Sequence, residues 1–232
     1  DSPVLKNLND TWLLDGDRWK RLKNAGEPEP RTGAAMVFDK RAGALVLYGG
    51  SQPPGSYYQH NTWLLDDDGW RKAADGEPRV FSDLMCFDDA RSRVLLFGMY
   101  KDSNLFRWNG RMWKRSGAVD ISLLDSSVVY DTRRDQVVFF GNSPNTVIWE
   151  KNTFTVNEVA WPFFQEFGAM AYDSRRDRIV LMGVDHEPTD NSPLLMRTWE
   201  WDGREWELKK PRKGKAPAFR RDHAAVYDEK LK

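Results

Sequence analysis

The chain has 232 residues, enough to bury the core of one domain or one array of repeats. Lys and Arg total 35 and Asp and Glu total 35, so the formal net charge is zero. This balance argues against a nucleic-acid binder and gives no support for attachment to a membrane surface. No apolar run approaches the roughly 18 residues that a membrane-spanning helix needs. The single cysteine, Cys86, excludes an internal disulfide.

The first residue is Asp1, and no signal-like segment follows it. We therefore expect a mature or trimmed chain. The cysteine content does not fix the compartment, and we favour a secreted or periplasmic protein over a cytoplasmic one.

Taken in chain order, the first recognisable element is a short aromatic hairpin that recurs five times. Its copies begin at Thr11, Thr62, Phe106, Val147 and Thr198. Most copies end on Trp, as in Trp201-Asp202-Gly203-Arg204-Glu205-Trp206. The Asp-Gly pair predicts a type I′ turn, in which both central residues have positive φ. Five copies of one hairpin indicate a repeat protein.

A second pair of strands recurs between these hairpins. Its first strand is apolar and ends in an aspartate, and these aspartates are Asp39, Asp88, Asp131, Asp173 and Asp228. Its second strand is also apolar and ends in glycine at Gly49-Gly50, Gly98, Gly141 and Gly183. Continuous apolar runs are typical of strands that are buried on both faces.

Each repeat therefore contains four strands, which we call inner, second, third and outer. Repeats of four strands and about 40–50 residues that cannot bury their faces alone predict an all-β β-propeller. The complete repeats cover about 34–72, 84–115, 127–157 and 169–208, in a single domain spanning residues 1–232. Residues 11–22 and 222–228 would share one further blade and close a ring of five.

That shared blade has no obvious second strand. Either residues 1–8 or an unrelated segment supplies it, or the chain is a fragment of a larger ring.

The pattern resembles the kelch-repeat family, in its bacterial type. The resemblance rests on the inner strand ending Tyr-Asp or Phe-Asp, on Gly49-Gly50, and on the Trp-x-Trp-Asp-Gly-x-x-Trp hairpin from Trp199. It covers nearly the whole chain, although only one repeat keeps both glycines. It implies a propeller of kelch-type blades. Such propellers serve mostly as binding scaffolds, and some are enzymes, so the resemblance leaves the function open.

Binding residues are expected on the rim that carries the second–third and outer–inner loops, because these loops vary most in length. We call it the long-loop rim. The segment 51–60 offers Tyr57, Tyr58 and His60, and the segment 184–191 offers His186. Tyrosines give large, rigid contact areas. The aromatic segment 161–167 either folds onto the core or forms a third recognition patch.

Four polar residues precede the inner strands and could meet at the mouth of a central channel. They are Asp83, Asp125, Asp222 and His223. Such a set could bind a sugar or a metal, or it could simply bond loop amides and water.

We predict a non-enzymatic scaffold that binds a protein, peptide or glycan on the long-loop rim. We expect a monomer without a catalytic residue, metal or cofactor, and without a nucleic-acid or membrane partner. The alternatives are a carbohydrate-active or metal-dependent propeller enzyme that uses the channel mouth, and a structural domain of a larger protein.

Overall fold

The computed structural model describes residues 8–22, 26–52, 57–101, 103–141, 145–158, 168–185, 195–210, 217–218 and 223–230. The chain divides into two compact units. The first contains residues 1–87, 92–98 and 103–118, and the second contains residues 88–91, 99–102 and 119–232. Nothing in the described part of the chain is a helix long and apolar enough to cross a membrane.

The N-terminal residues form a two-stranded sheet, followed by two larger blades. The two-stranded sheet, the half-blade, pairs β1 (Thr11–Asp15) with β2 (Arg18–Leu22). Blade I has the order β3-β4-β6-β7, with a short β5 beside β4, and its strands are β3 (Thr32–Asp39), β4 (Ala44–Gln52), β5 (Tyr57–Tyr58), β6 (Asn61–Asp66) and β7 (Gly69–Asp75). Blade II consists of β8 (Leu84–Asp88), β9 (Arg93–Phe97), β10 (Ser103–Trp108) and β11 (Trp113–Val119), in chain order.

The rest of the chain forms two further antiparallel blades. Blade III contains β12 (Ser127–Asp131), β13 (Gln136–Phe140), β14 (Thr146–Glu150) and β15 (Thr153–Asn157), in chain order. Blade IV contains β16 (Ala169–Asp173), β17 (Arg178–Asp185), β18 (Leu195–Trp201) and β19 (Trp206–Lys209), also in chain order. The predicted four-stranded repeat is therefore confirmed in four copies.

Burial differs between the second and the outer strand of a blade. In blade III every residue of β13 is buried, whereas the outer strand β15 contains only exposed and half-buried residues. Blade II shows the same contrast between β9 and β11. In these two blades the second strand is covered on both faces and the outer strand is not, which is why apolar runs of the sequence mark their second strands.

The aspartates that end the inner strands hold the turns that follow. Oδ1 of Asp131 accepts hydrogen bonds from the backbone N–H groups of Arg133 and Arg134, both at 3.1 Å. Oδ2 of Asp131 is 2.9 Å from the Arg134 guanidinium, which also bonds Asp177 in blade IV. Burial acts to raise the pKa of Asp177, but hydrogen bonds from Tyr172 and Arg134 outweigh it and lower that pKa. The turn thereby ties blade III to blade IV.

The expected type I′ conformation of the Asp-Gly turns is wrong. In blade IV Trp201 pairs with Trp206, and the Asp202 N–H bonds the Glu205 carbonyl, so Gly203 and Arg204 are the central residues. Of these two, only Gly203 has positive φ, at 101°. Asp202 instead caps the turn, because its Oδ1 accepts from the N–H groups of Arg204 and Glu205.

A hydrogen bond between indole and hydroxyl joins consecutive repeats. Nε1 of Trp70 donates to Thr11 Oγ1 and Nε1 of Trp113 donates to Thr62 Oγ1, both at 2.8 Å. Trp206 donates to Thr146 at 2.9 Å. Between blades II and III the threonine position holds Leu105 and the tryptophan position holds Phe154. The acceptor and the donor of this bond are therefore both absent there. The indole groups of Trp70, Trp113 and Trp206 therefore have a structural role.

Thr62→Val should lower the free energy of unfolding by about 1–2 kcal/mol, because the Trp113 N–H loses its acceptor in a half-buried position. Urea unfolding of the wild type and the variant measures this difference. In a Trp113→Phe background, which already lacks the donor, the same threonine substitution should cost markedly less. Equal costs in both backgrounds would contradict a role for this bond.

The predicted inner strand at residues 222–228 is not formed: Asp222 lies outside the described residues, and residues 223–228 contain no strand. The described residues thus show four complete blades and one half-blade, not five complete blades. Residues 223–228 nevertheless pack against blade IV, since His223 Nε2 lies 3.1 Å from the Met182 carbonyl oxygen. Tyr227 also hydrogen-bonds Asp173.

Candidate functional site

Blade III carries a cavity of about 410 Å³ at its long-loop end. The walls are mainly aliphatic, with hydroxyl and amide groups among them, and the lining side chains belong to Ile121, Ser122, Leu124, Ser126, Phe139, Asn145, Val147 and Val156. All of these residues lie within the second compact unit. A volume of this size falls in the range of small-ligand sites, about 300–1,000 Å³. We call it the blade III pocket.

The pocket lies where blade III departs from the repeat pattern. Where the other hairpins have Trp12, Trp63, Phe106 or Trp199, blade III has Val147. Val156 lies directly opposite Val147 on β15. Val147 is smaller than these aromatic residues, and the small Val156 beside it does not fill the space that is left.

Blade I shows how the same place is filled in another repeat. There the residue opposite Trp63 is Lys72, and its Nζ lies 5.8 Å from the centre of the Trp63 ring. Trp63 itself is only 7% exposed. Blade III has Val147 and Val156 where blade I has Trp63 and Lys72, so less side-chain volume is present at this place.

The loop between β11 and β12 forms one wall of the pocket, and backbone bonds hold it in place. Leu123 is fully buried and its N–H donates to the Met99 carbonyl at 2.7 Å. The next turn closes with the Ser126 N–H donating to the Leu123 carbonyl at 3.3 Å. Between them Asp125 has a φ of 53°, a left-handed conformation that aspartate tolerates better than most residues.

Gly141, at the end of β13, allows this loop to approach. A Cβ atom at that position would lie 2.4 Å from the Asp125 carbonyl oxygen and 2.4 Å from the Ser126 Cα. No side chain fits at such distances, which explains why the second strand of blade III ends in glycine. The pocket wall is therefore built by backbone packing and is formed before any ligand arrives.

None of the described residues that line the blade III pocket carries a charge. Val156 is 45% exposed and Leu124 is 39% exposed, so the aliphatic wall is open to solvent. Ser122, Ser126 and Asn145 supply hydrogen-bonding groups. This chemistry suits an uncharged group with an apolar body, held by a few polar contacts.

The sequence prediction reached this site only through Asp125. The decisive residues, Val147 and Val156, were missed because they are ordinary aliphatic residues in strands. The sequence did contain a sign of the pocket, because one repeat out of five has Val147 in place of an aromatic residue. A position-by-position comparison of the repeats would have found it.

Two of the predicted residues of blade I occupy a different place, in the first unit. Tyr57 and Tyr58 form β5, which pairs with the end of β4, so they extend a sheet and are not part of an open loop. The exposed Tyr58 ring meets Phe81 edge-to-face. His60 follows β5 and is half-buried.

Burial lowers the pKa of His60, and the nearby positive charge of Arg79 lowers it further, while Glu77 opposes this effect. The folded protein therefore favours neutral His60. Because its folded pKa lies below the unfolded value, His60 stabilises the fold above the unfolded pKa of about 6.5. That contribution is lost as the pH falls below this value.

The urea midpoint of the wild type should accordingly drop between pH 7.5 and pH 5.5 by more than that of His60→Gln. The glutamine variant isolates the histidine, since the carboxylates titrate equally in both proteins. An identical drop in the two proteins would show that His60 does not contribute.

The other predicted site residues are not brought together among the described residues of either unit. Asp83 and Asp125 are exposed and belong to different units. His223 bonds the Met182 carbonyl, as noted above. His186, Asp222 and the segment 161–167 lie outside the described residues. The channel-mouth set thus stays a prediction, and the described part of the chain holds no group of three or more His, Cys, Asp or Glu residues placed to bind a metal ion.

No protein-family model matches the chain, and no curated protein matches it. Two solved structures from Bacteroides thetaiotaomicron VPI-5482 are similar. One, a structural genomics protein of unknown function, has a TM-score of 0.56 at 10% sequence identity, covering 90% of this chain and 56% of that protein.

The other, an auxiliary nutrient binding protein, has a TM-score of 0.53 at 9% identity, covering 96% of this chain and 62% of that protein. The chain thus spans less than two thirds of the length of either protein. At such low identity the likeness concerns the fold alone. Together with the four blades of the described chain, three of four strands and one of five, it identifies the chain as a β-propeller.

Proposed function

We propose that the protein is a non-enzymatic binding module that holds an uncharged part of a protein, peptide or glycan in the blade III pocket. The observation that carries the proposal is the pair Val147 and Val156. These residues open a cavity where other repeats are filled, while the surrounding strands keep the common pattern. Binding sites arise where loops and side chains vary on a fixed scaffold.

Two further observations support a binding role. The pocket wall is held by backbone hydrogen bonds and by the Gly141 contact, so little ordering entropy would be lost on binding. One of the similar structures is that of an auxiliary nutrient binding protein, which agrees with a scaffold that captures a ligand.

A screen of neutral and charged glycans and short peptides would identify the ligand. Its affinity for a variant with a filled pocket, measured by titration calorimetry, would show whether it binds there. Val147→Trp introduces the residue that three of the other four repeats have, and it should weaken binding at least about tenfold, because the ring occupies the ligand volume. Its melting temperature should not fall. Met112→Trp, at an exposed turn of blade II, is the matched control and should bind normally. Unchanged affinity in Val147→Trp would overturn the assignment of the site.

We further infer that the repeats are of kelch type and that the half-blade and residues 223–228 belong to one fifth blade. The hairpin motifs support the first inference. For the second, Tyr227 bonds the turn after β16, where it is linked to Asp173 and the Arg175 backbone. Tyr130 reaches the turn after β8 in the same way, through the Ala90 N–H. Tyr227 thus occupies the place of an inner-strand tyrosine.

A further inference from the structure

Between blades II and III, a carboxylate is held by side chains of both blades. Asp135 accepts from the two terminal nitrogens of the Arg91 guanidinium, at 2.7 and 2.9 Å. The Tyr130 hydroxyl donates to the same carboxylate at 2.6 Å. Arg91 lies in the turn after the inner strand β8, whereas Tyr130 and Asp135 belong to the inner strand and the following turn of blade III. Two parallel arginine bonds are a strong and specific way to hold a carboxylate.

The same arrangement recurs between blades III and IV. Asp177 accepts from the Arg134 guanidinium at 2.9 and 3.1 Å and from the Tyr172 hydroxyl at 2.9 Å. Arg133 adds a further cationic contact, with its Nη1 atom 3.3 Å from Oδ2 of Asp177. In blades III and IV alike, the aspartate is the fifth residue after the tyrosine. The turns of this repeat therefore form a recurring carboxylate site from arginine and tyrosine side chains.

After blade IV the arginine and the tyrosine recur, but the aspartate does not. Arg175 has the same position in its turn as Arg133. Tyr227 lies against this turn, where it donates to Asp173 and accepts from the Arg175 backbone N–H. The fifth residue after Tyr227 is Lys232. A basic residue therefore takes the sequence position of the aspartates that occupy the two preceding sites.

A cavity of about 340 Å³ lies beside this turn, and we call it the blade IV pocket. Its described lining consists of Ser174, Arg175, Tyr227 and Glu229, all in the second compact unit. It has no described lining residue in common with the blade III pocket. The volume suits a small ligand or the end of a peptide chain. Arg175 and the hydroxyl groups of Ser174 and Tyr227 supply donors for a carboxylate, and Glu229 supplies an acceptor for an N–H group.

We propose that the blade IV pocket binds an α-amino acid group, either a free amino acid or the C-terminal residue of a peptide. The ligand carboxylate takes the place that Asp177 has in the preceding site, and it accepts from Arg175 and Tyr227. The N–H group on the ligand α-carbon donates to Glu229. This second site goes beyond the function proposed for the blade III pocket.

Binding requires Tyr227 to exchange one carboxylate for another, because its hydroxyl donates to Asp173 in the free protein. Asp173 also accepts from the backbone N–H groups of Arg175 and Arg176, at 3.1 and 3.0 Å, and from the Arg176 guanidinium. It keeps these donors when Tyr227 turns to the ligand. The exchange therefore leaves no buried carboxylate without a partner, which would be costly.

The probes are N-acetylalanine and three analogues, added to the full chain and followed by the amide chemical shifts of Ser174 and Arg175. N-acetylalaninamide lacks the carboxylate and should bind at least about tenfold more weakly, because the arginine loses a charged acceptor. O-acetyllactate has an ester oxygen in place of the N–H group and should also bind more weakly than N-acetylalanine. Free alanine distinguishes the two sources: tighter binding than N-acetylalanine indicates a free amino acid, and weaker binding indicates a peptide end.

Two arginine variants test the pocket itself. Arg175→Gln removes the guanidinium and keeps the backbone bonds of the turn, and it should weaken N-acetylalanine binding at least about tenfold. Arg204→Gln, with the same loss of charge in the turn between β18 and β19, is the matched control and should bind normally. Val147→Trp should also bind normally, which separates this inference from the proposed function.

Equal binding of N-acetylalanine and its amide would overturn the carboxylate site, and so would normal affinity in Arg175→Gln. Equal losses in Arg175→Gln and Arg204→Gln would indicate a general effect of charge, and the inference would be wrong. Binding of O-acetyllactate as tight as that of N-acetylalanine would contradict the assignment to an α-amino acid group. An absence of shift changes with every probe would overturn the inference, whatever the blade III pocket binds.

Discussion

Replacement of Asp131 by alanine is expected to lower the free energy of unfolding by about 3 kcal/mol, because it removes the buried carboxylate that pairs with the partly exposed Arg134 and holds the turn. Asp131 is fully buried. Its carboxylate accepts from two turn amides, from the Arg134 guanidinium at 2.9 Å and from the Gln136 amide at 3.4 Å. Alanine leaves all of these donors without that acceptor.

Asp131→Asn is the matched control. Its side-chain oxygen can still cap the turn, so only the charge of the pair with Arg134 is lost, and the cost should be about half as large. Urea unfolding of the wild type, Asp131→Ala and Asp131→Asn measures the loss of stability in each variant. A loss below about 1 kcal/mol for the alanine variant would show that the turn is held by other contacts.

Replacement of Gly141 by alanine should cost about 3 kcal/mol, because its Cβ would overlap the backbone of the 120–126 loop. The contacted atoms, the Asp125 carbonyl oxygen and the Ser126 Cα, belong to the backbone and cannot rotate away. The loop must shift, and with it one wall of the blade III pocket. Ligand affinity should therefore fall together with stability.

Gly117→Ala provides the control for this substitution. A Cβ atom there meets only the Leu105 side chain, at 3.9 Å, and its stability should change by less than about 0.5 kcal/mol. Thermal unfolding of both variants measures the difference. Equal effects at the two positions would mean that the loop does not pack on Gly141 as described.

The sequence predicted the blade because its four strands have different burial, and burial determines composition. Four of the five residues of the fully buried β13 are apolar. The neighbouring strand β12 ends in Asp131, which holds the turn that follows it. The turn type was wrong because Asp202 was read as a central turn residue. It caps the turn from the flank, and only Gly203 needs positive φ.

The site was harder to predict than the fold. The predicted binding site relied on polar and aromatic loop residues such as Tyr58 and His60, because binding residues are often of these types. The blade III pocket instead comes from missing volume at Val147 and Val156, and a cavity leaves no residue type as its signature. Such a cavity is recognised from the sequence only by comparing the residues at the same position of different blades.

The most direct test of the central claim is an amide chemical-shift titration of the full chain with the tightest ligand from the screen. We expect the shift changes to be concentrated at Ser126, Gly141, Asn145 and Val156 in the wild type. The same changes should be absent in Val147→Trp. Shifts confined to the region of Tyr58 and His60, or shifts that persist in the filled variant, would contradict it.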